Sequence, residues 1–301
     1  MTKERRRNKK NPRYLEDITL SLPSPVFDDN ENPFSSNLFL GRYDEEHLMA
    51  LFRSVGIVAI LKEKGYHNLI VSVLKQDNYT SRLFVNFDSV QKETRLIELI
   101  VREGVFKPKK QFLQGYDFSG GLPMLLIEWL SLQDPRSTFS VEKPRLPGQE
   151  YPGLGGLKNL QALLFRFARS ASKDAIVDIP EYYHAAVIYS RLYQDIYSRR
   201  YSFFSPVDAG NFQAMMRDLN DKPLADVSFA VAFDCLVDTK TGKKVQWKPS
   251  DQIYPISKTL KQYFVNEQYT DIVAKTAEKA SYSIDWKKFE QVRTQGMIDE
   301  I

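Results

Sequence analysis

Three glycines, Gly153, Gly155 and Gly156, close a polar loop where a helical pattern begins. That placement suits the binding of phosphate. A helix N-terminus carries unpaired N–H groups and the positive end of the aligned peptide dipoles. Glycine adds close backbone approach, because no Cβ stands between the chain and the anion. The sequence is not a Walker A loop, since no Gly-Lys-Ser/Thr follows. It is not a dinucleotide fingerprint either, since no strand runs straight into it. Pro152-Gly153 also reads as an ordinary turn dipeptide. Two other residues carry reactive groups. Glu128 interrupts the apolar run 124–132, where a carboxylate either faces solvent or occupies a site as a proton-transfer group. Tyr189 offers a phenol that reads either as a proton donor or as a core aromatic bonded to backbone.

The elements that must position these residues follow from periodicity. After Gly156 the apolar positions recur at helical spacing, 175–179 is a short apolar strand, and Ala185, Ile188, Tyr189 and Leu192 mark a second helix. Residues 146–192 therefore read as loop, helix, strand and helix. Upstream, Leu48, Leu51, Phe52, Val55, Val58 and Ala59 predict a helix from its N-cap Asp44 to Lys64, breakable at Gly56 and closed by Gly65. The period then changes to two. Residues 69–74 and 83–87 predict a hairpin about Gln76-Asp77-Asn78, 94–105 a strand, and 124–132 another strand after Gly120-Gly121. Further on, 227–237 alternates and predicts a strand, turned at 239–242 toward Val245 and Trp247. Ile256, Leu260, Tyr263 and Phe264 predict a later helix, and 269–277 a shorter one. Cys235 reads as buried filler and His184 as a helix-surface residue.

Residues 125–189 resemble the central motif of the GCN5-related N-acetyltransferases, the GNAT superfamily. In that family a bulged strand leads to a Gln/Arg-x-x-Gly-x-Gly/Ala loop that wraps the pyrophosphate of acetyl-CoA, and helix, strand and helix follow. Gly153 and Gly155 stand at the two glycine positions, and Ala185 and Tyr189 match the last helix. The chain departs at Glu150, which replaces the Gln/Arg with Gln149 one residue early. It departs again at Tyr182, where an Asn usually opens the helix, and at Tyr193-Gln194, where Gly-Phe usually closes it. The resemblance implies an α/β (α+β) fold: a mixed, largely antiparallel sheet flanked by helices, with extra C-terminal helices. It implies acetyl-CoA or another acyl-CoA as co-substrate, and no metal. Leu132, Gln149, Gly153, Leu154, Gly155, Gly156 and Leu157 would bind it, and Glu128 and Tyr189 would carry catalysis. A small-molecule or protein amine would accept the acyl group. The hairpin at 227–247 would complete the sheet.

Composition fits a cytoplasmic globular chain of 301 residues, 43% of them hydrophobic. One cysteine excludes a disulfide framework, and three scattered histidines (His47, His67 and His184) leave little for a metal centre. No apolar run reaches the length of a membrane span. The first thirteen residues hold seven Lys/Arg against one Glu, so the net charge of +4 belongs to the tail. That tail reads either as a solvated, dispensable terminus or as an arm for nucleic acid. Three units are expected: 1–37 as tail and irregular arm, 38–250 as the acyltransferase-like domain, and 251–301 as a C-terminal helical extension. A catalytically degenerate binding protein and a nucleic-acid-associated protein stand as alternatives to the enzyme. The oligomeric state and the identity of the acceptor stay open.

Overall fold

The computed structural model describes residues 20–21, 38–75, 77–192 and 201–296. The basic tail, Gln76 and the Tyr193-Gln194 helix end lie outside the described residues. Strand β1 (Leu20–Ser21) precedes the helices α1 (Glu45–Ser54) and α2 (Ile57–Glu63). Asp44 caps α1 by accepting the His47 N–H at 2.8 Å. Gly56 breaks the pair at φ +82°, a left-handed conformation that glycine adopts without strain. Four antiparallel strands follow in meander: β2 (Leu69–Lys75), β3 (Thr80–Phe87), β4 (Arg95–Phe106) and β5 (Leu122–Leu132). Next come α3 (Leu157–Ser170), β6 (Ala175–Asp178) and α4 (Tyr183–Arg191).

Beyond Tyr201 lie β7 (Ser202–Phe203), α5 (Pro206–Asp218), α6 (Leu224–Ala232), β8 (Leu236–Asp238) and β9 (Gln252–Pro255). The chain continues through α7 (Lys258–Val265), α8 (Glu267–Lys279), β10 (Tyr282–Ile284) and α9 (Trp286–Thr294). The main sheet runs β2-β3-β4-β5-β6-β9-β7, with β1 pairing the far end of β4. Every pairing in it is antiparallel except β5 with β6. It is a mixed, largely antiparallel sheet flanked by helices, the fold class expected from the sequence.

Alternation along β5 and β6 divides the core. Leu125, Ile127 and Ile176 pack beneath α1, α2 and α3. Met124, Leu126, Ala175 and Val177 face the other way, against Phe204 and the Leu260 and Tyr263 of α7. A third cluster joins α4, α5, α6, β8 and α9 around Cys235, which is fully buried filler.

Two expectations are corrected. The alternating stretch 227–237 is helical over Leu224–Ala232, and only Leu236–Asp238 is a strand. The reason is that Ser228, Ala230 and Ala232 lie between the large residues. All of 227–231 is buried, so period two cannot be told from an apolar helix buried all round. The 239–242 turn does form, with the Val245 N–H donating to the Leu236 carbonyl at 2.9 Å, but β8 pairs with β10 in a separate two-stranded sheet. The strands that extend the main sheet past β6 are β9 and β7, so the segment after 250 contributes a central strand as well as helices.

Helices α5 and α8 cross at Gly210. A Cβ there would stand 2.5 Å from the Thr276 Cβ and 2.7 Å from the Val273 carbonyl oxygen. Helix propensity alone would make Gly210→Ala stabilising by about 1 kcal/mol. The overlap reverses the sign, and a loss of about 1–3 kcal/mol is expected. The urea midpoint measures it; an unchanged or raised midpoint would mean that the helices do not approach so closely.

Candidate functional site

Strands β5 and β6 run parallel and paired only as far as Ile127 and Asp178. Two local features end the pairing. On β5 the register against β4 shifts, with Ile100 opposite Trp129 and Val101 opposite Ile127, which leaves Glu128 as the unopposed residue of a bulge. On β6 the chain passes through Ile179 into Pro180, which has no N–H to continue a ladder. The strands therefore separate, and a cavity of about 530 Å³ opens between their C-terminal ends. That volume lies in the range of small-ligand sites. The carboxyl ends of parallel strands are a recurrent place for ligands, because side chains and loops converge there on exposed backbone.

The β5 edge from Glu128 to Ser131 forms one wall. At its far end the Leu132 carbonyl accepts the Leu154 N–H at 3.2 Å, and the Asp134 N–H donates to the Pro152 carbonyl at 2.8 Å. These bonds tie the glycine loop to the end of the strand. Asp134 holds the junction. Its buried carboxylate accepts the Tyr66 hydroxyl at 2.5 Å and the Lys64 ammonium at 3.0 Å. Burial pushes this carboxyl up, but the bonds from Tyr66, Lys64 and Ser137 outweigh it and leave it below the ordinary carboxylate value.

The expected site residues fall into two groups. Glu128, Leu132, Gln149 and Tyr189 line the cavity together. Gly153, Leu154, Gly155, Gly156 and Leu157 lie outside its lining, just past Leu132. Gly155 (φ +80°) and Gly156 (φ +76°) open α3 in left-handed conformation, and Gly156 as N-cap residue has no side chain to cap the helix. The N–H groups of its first turn therefore have no intrahelical acceptor. Leu154 is corrected as a donor, because its N–H is already bonded to Leu132 and its side chain is buried. Gln149 folds its carboxamide oxygen back onto the Leu146 N–H at 3.1 Å, leaving only the amide nitrogen as a donor. Glu150, the acidic departure, is exposed and ion-paired with Lys92 at 3.2 Å, which offsets its charge.

Glu128 is bound to the Arg102 guanidinium, which also reaches Asp77 at 3.7 Å. Its carboxylate thus has a partner already. Tyr189 is 8 % exposed, and its hydroxyl bonds to no backbone group among the described residues. Burial, with the nearby Asp178 and Tyr201, holds its phenol well above the ordinary value, so it is a proton carrier at neutral pH.

Two residues of the cavity wall escaped the sequence reading. His184 is buried, not on the helix surface. Its Nδ1 lies 2.8 Å from the Ser228 hydroxyl, and burial lowers its pKa to about 4, so the ring is neutral at pH 7. Asp178 is 8 % exposed, and its Oδ2 has no hydrogen-bond partner among the described residues. Its place as the last residue of a short apolar strand was the available signal, since ligands gather there.

Among the described residues, no helix is long and apolar enough to cross a membrane. Compared with known proteins, the chain matches no family model and no curated protein.

Proposed function

We propose that the chain is an acyl-CoA-dependent N-acyltransferase, moving an acyl group, acetyl in the simplest case, from a CoA thioester to an amine of a small molecule or protein. The observation that carries this reading is the separation of β5 from β6 at the Glu128 bulge. It leaves a strand edge facing a cavity, and such an edge bonds an extended chain of amides as an added strand does. A CoA thioester supplies that chain in its arm, with the thioester at one end and a pyrophosphate at the other. The arm along Glu128–Ser131 would bring the thioester to Tyr189 and the pyrophosphate past Leu132 toward the uncapped N-terminus of α3. A CoA donor implies a cytoplasmic setting.

Acyl transfer needs a neutral amine, a polarised carbonyl and a proton for the thiolate. Tyr189 is the donor for the thiolate. The Glu128–Arg102 pair favours a second reading, a binding protein that holds the thioester without turning it over. Thiol release in the presence of an amine panel, with the acylated product weighed by mass spectrometry, tests the enzyme. Thiol release with product formation supports it. Saturable acetyl-CoA binding without either favours the second reading.

Gly155→Asp is expected to weaken acetyl-CoA binding at least tenfold. Space is not the cause, since nothing lies within 4 Å of a Cβ there. The strain of φ +80° and the repulsion of a carboxylate from phosphate act together. Calorimetry on the variant beside the wild type checks it, and equal affinity would move the pyrophosphate away from this loop.

A further inference from the structure

We propose that Asp178 is the general base of this site, the group that takes the proton of the acceptor's ammonium. The inference rests on the acyltransferase reading and adds the residue that acts as its base. As the last paired residue of β6, opposite Ile127 on one side and Gln252 on the other, Asp178 stands where the strands part. Asp178 lines the cavity, is nearly removed from solvent, and keeps a buried carboxyl oxygen without a partner among the described residues. A buried oxygen left unbonded costs stability, and an N–H donor entering the cavity would satisfy it.

The charges of the wall agree. Arg95 pairs with Glu98, Lys92 with Glu150, and Glu128 with Arg102. Asp178 and Glu181 are left without an ion pair among the described residues, so a cation entering the cavity meets negative charge that nothing else offsets. The groups near Asp178 are Tyr189 on α4, Tyr201, and Gln252, its partner on β9, while Glu128 and His184 share the cavity wall with it. None of them is a cation, since His184 is neutral. Burial pushes the Asp178 carboxyl up to about 7, against the opposing bond from the Ile179 N–H. A carboxyl poised there matches the working range of a base at neutral pH.

The ammonium gives one proton to the Asp178 carboxylate. The freed lone pair attacks the thioester carbonyl carbon, so the C–N bond forms as the C–S bond breaks. The leaving thiolate takes the Tyr189 proton, and the second N–H proton of the new amide nitrogen restores the phenol. Asp178 then releases its proton to solvent. The products are one amide, one thiol and one proton.

Asp178→Asn tests this, since it keeps the shape and removes the titration. With acetyl-CoA and a reactive amine, the variant is expected to lose about 10²-fold in kcat/KM at pH 7. It should also lack the rise in rate through pH 7 expected of the wild type, while its acetyl-CoA affinity is unchanged. A second readout needs no activity. A carboxyl whose folded value exceeds its unfolded value of about 3.9 binds extra protons in the folded chain between roughly pH 4 and 7. Wild-type stability should therefore fall across that window relative to the variant. Parallel melting curves for the two proteins would overturn the proposal. Acyl transfer by the wild type with an unchanged rate profile in the variant would overturn the base alone. No transfer by the wild type with any amine would overturn the enzyme reading, and the base with it.

Discussion

Tyr189→Phe is expected to lower turnover about 10²-fold while sparing acetyl-CoA affinity. The phenol is buried, lines the cavity, and bonds to no backbone group among the described residues that would give it a purely structural role. Phenylalanine keeps the ring and its contact with Tyr201, whose centroid lies 5.0 Å away, so the packing survives and only the proton is lost. Steady-state rates and calorimetry, measured together, check it. Wild-type turnover in the variant would show that the thiolate takes its proton elsewhere. A loss of affinity equal to the loss of rate would show that the hydroxyl binds and does not donate.

Asp134→Ala is expected to cost about 3 kcal/mol of stability, since it leaves the buried Tyr66 hydroxyl and the Lys64 ammonium without their acceptor. The contribution has a definite pH dependence. The Asp134 carboxyl lies below its unfolded value, so its stabilisation is present above about pH 4 and lost as pH falls through the lower folded value. The gap between wild type and variant in denaturant midpoint should accordingly narrow in acid. A constant gap from pH 7 to pH 3 would show that the ionised carboxylate is not what stabilises the junction.

Much of this fold was legible because its period is clear and its punctuation local. Asp44, Gly56 and Gly65 mark the helices, and the turn after residue 75 and Gly120-Gly121 mark the strands; the structure places elements at each. Leu224–Ala232 was misread because small residues between large ones give no polar face to count. Gln252–Pro255 was missed because four buried residues are too few to show a period. The site was legible in part. Glu128, Leu132, Gln149 and Tyr189 do converge on one cavity. The bulge that leaves Glu128 unopposed depends on register against β4, which no local pattern reports. The pairing of Glu128 with Arg102 and of Glu150 with Lys92 joins residues 26 and 58 positions apart, so neither partner could be named in advance. Asp178 went unnoticed because its burial depends on strands β5 and β9 pairing on either side of it, and the sequence of β6 alone shows only a short apolar run ending in an acid.

Calorimetric titration of the full chain with acetyl-CoA tests the central claim most directly, because it requires no knowledge of the acceptor. A single saturable site with a Kd between about 1 μM and 1 mM is predicted, weakened by Gly155→Asp and unchanged by Tyr189→Phe. No detectable binding of acetyl-CoA at millimolar concentration would contradict the account.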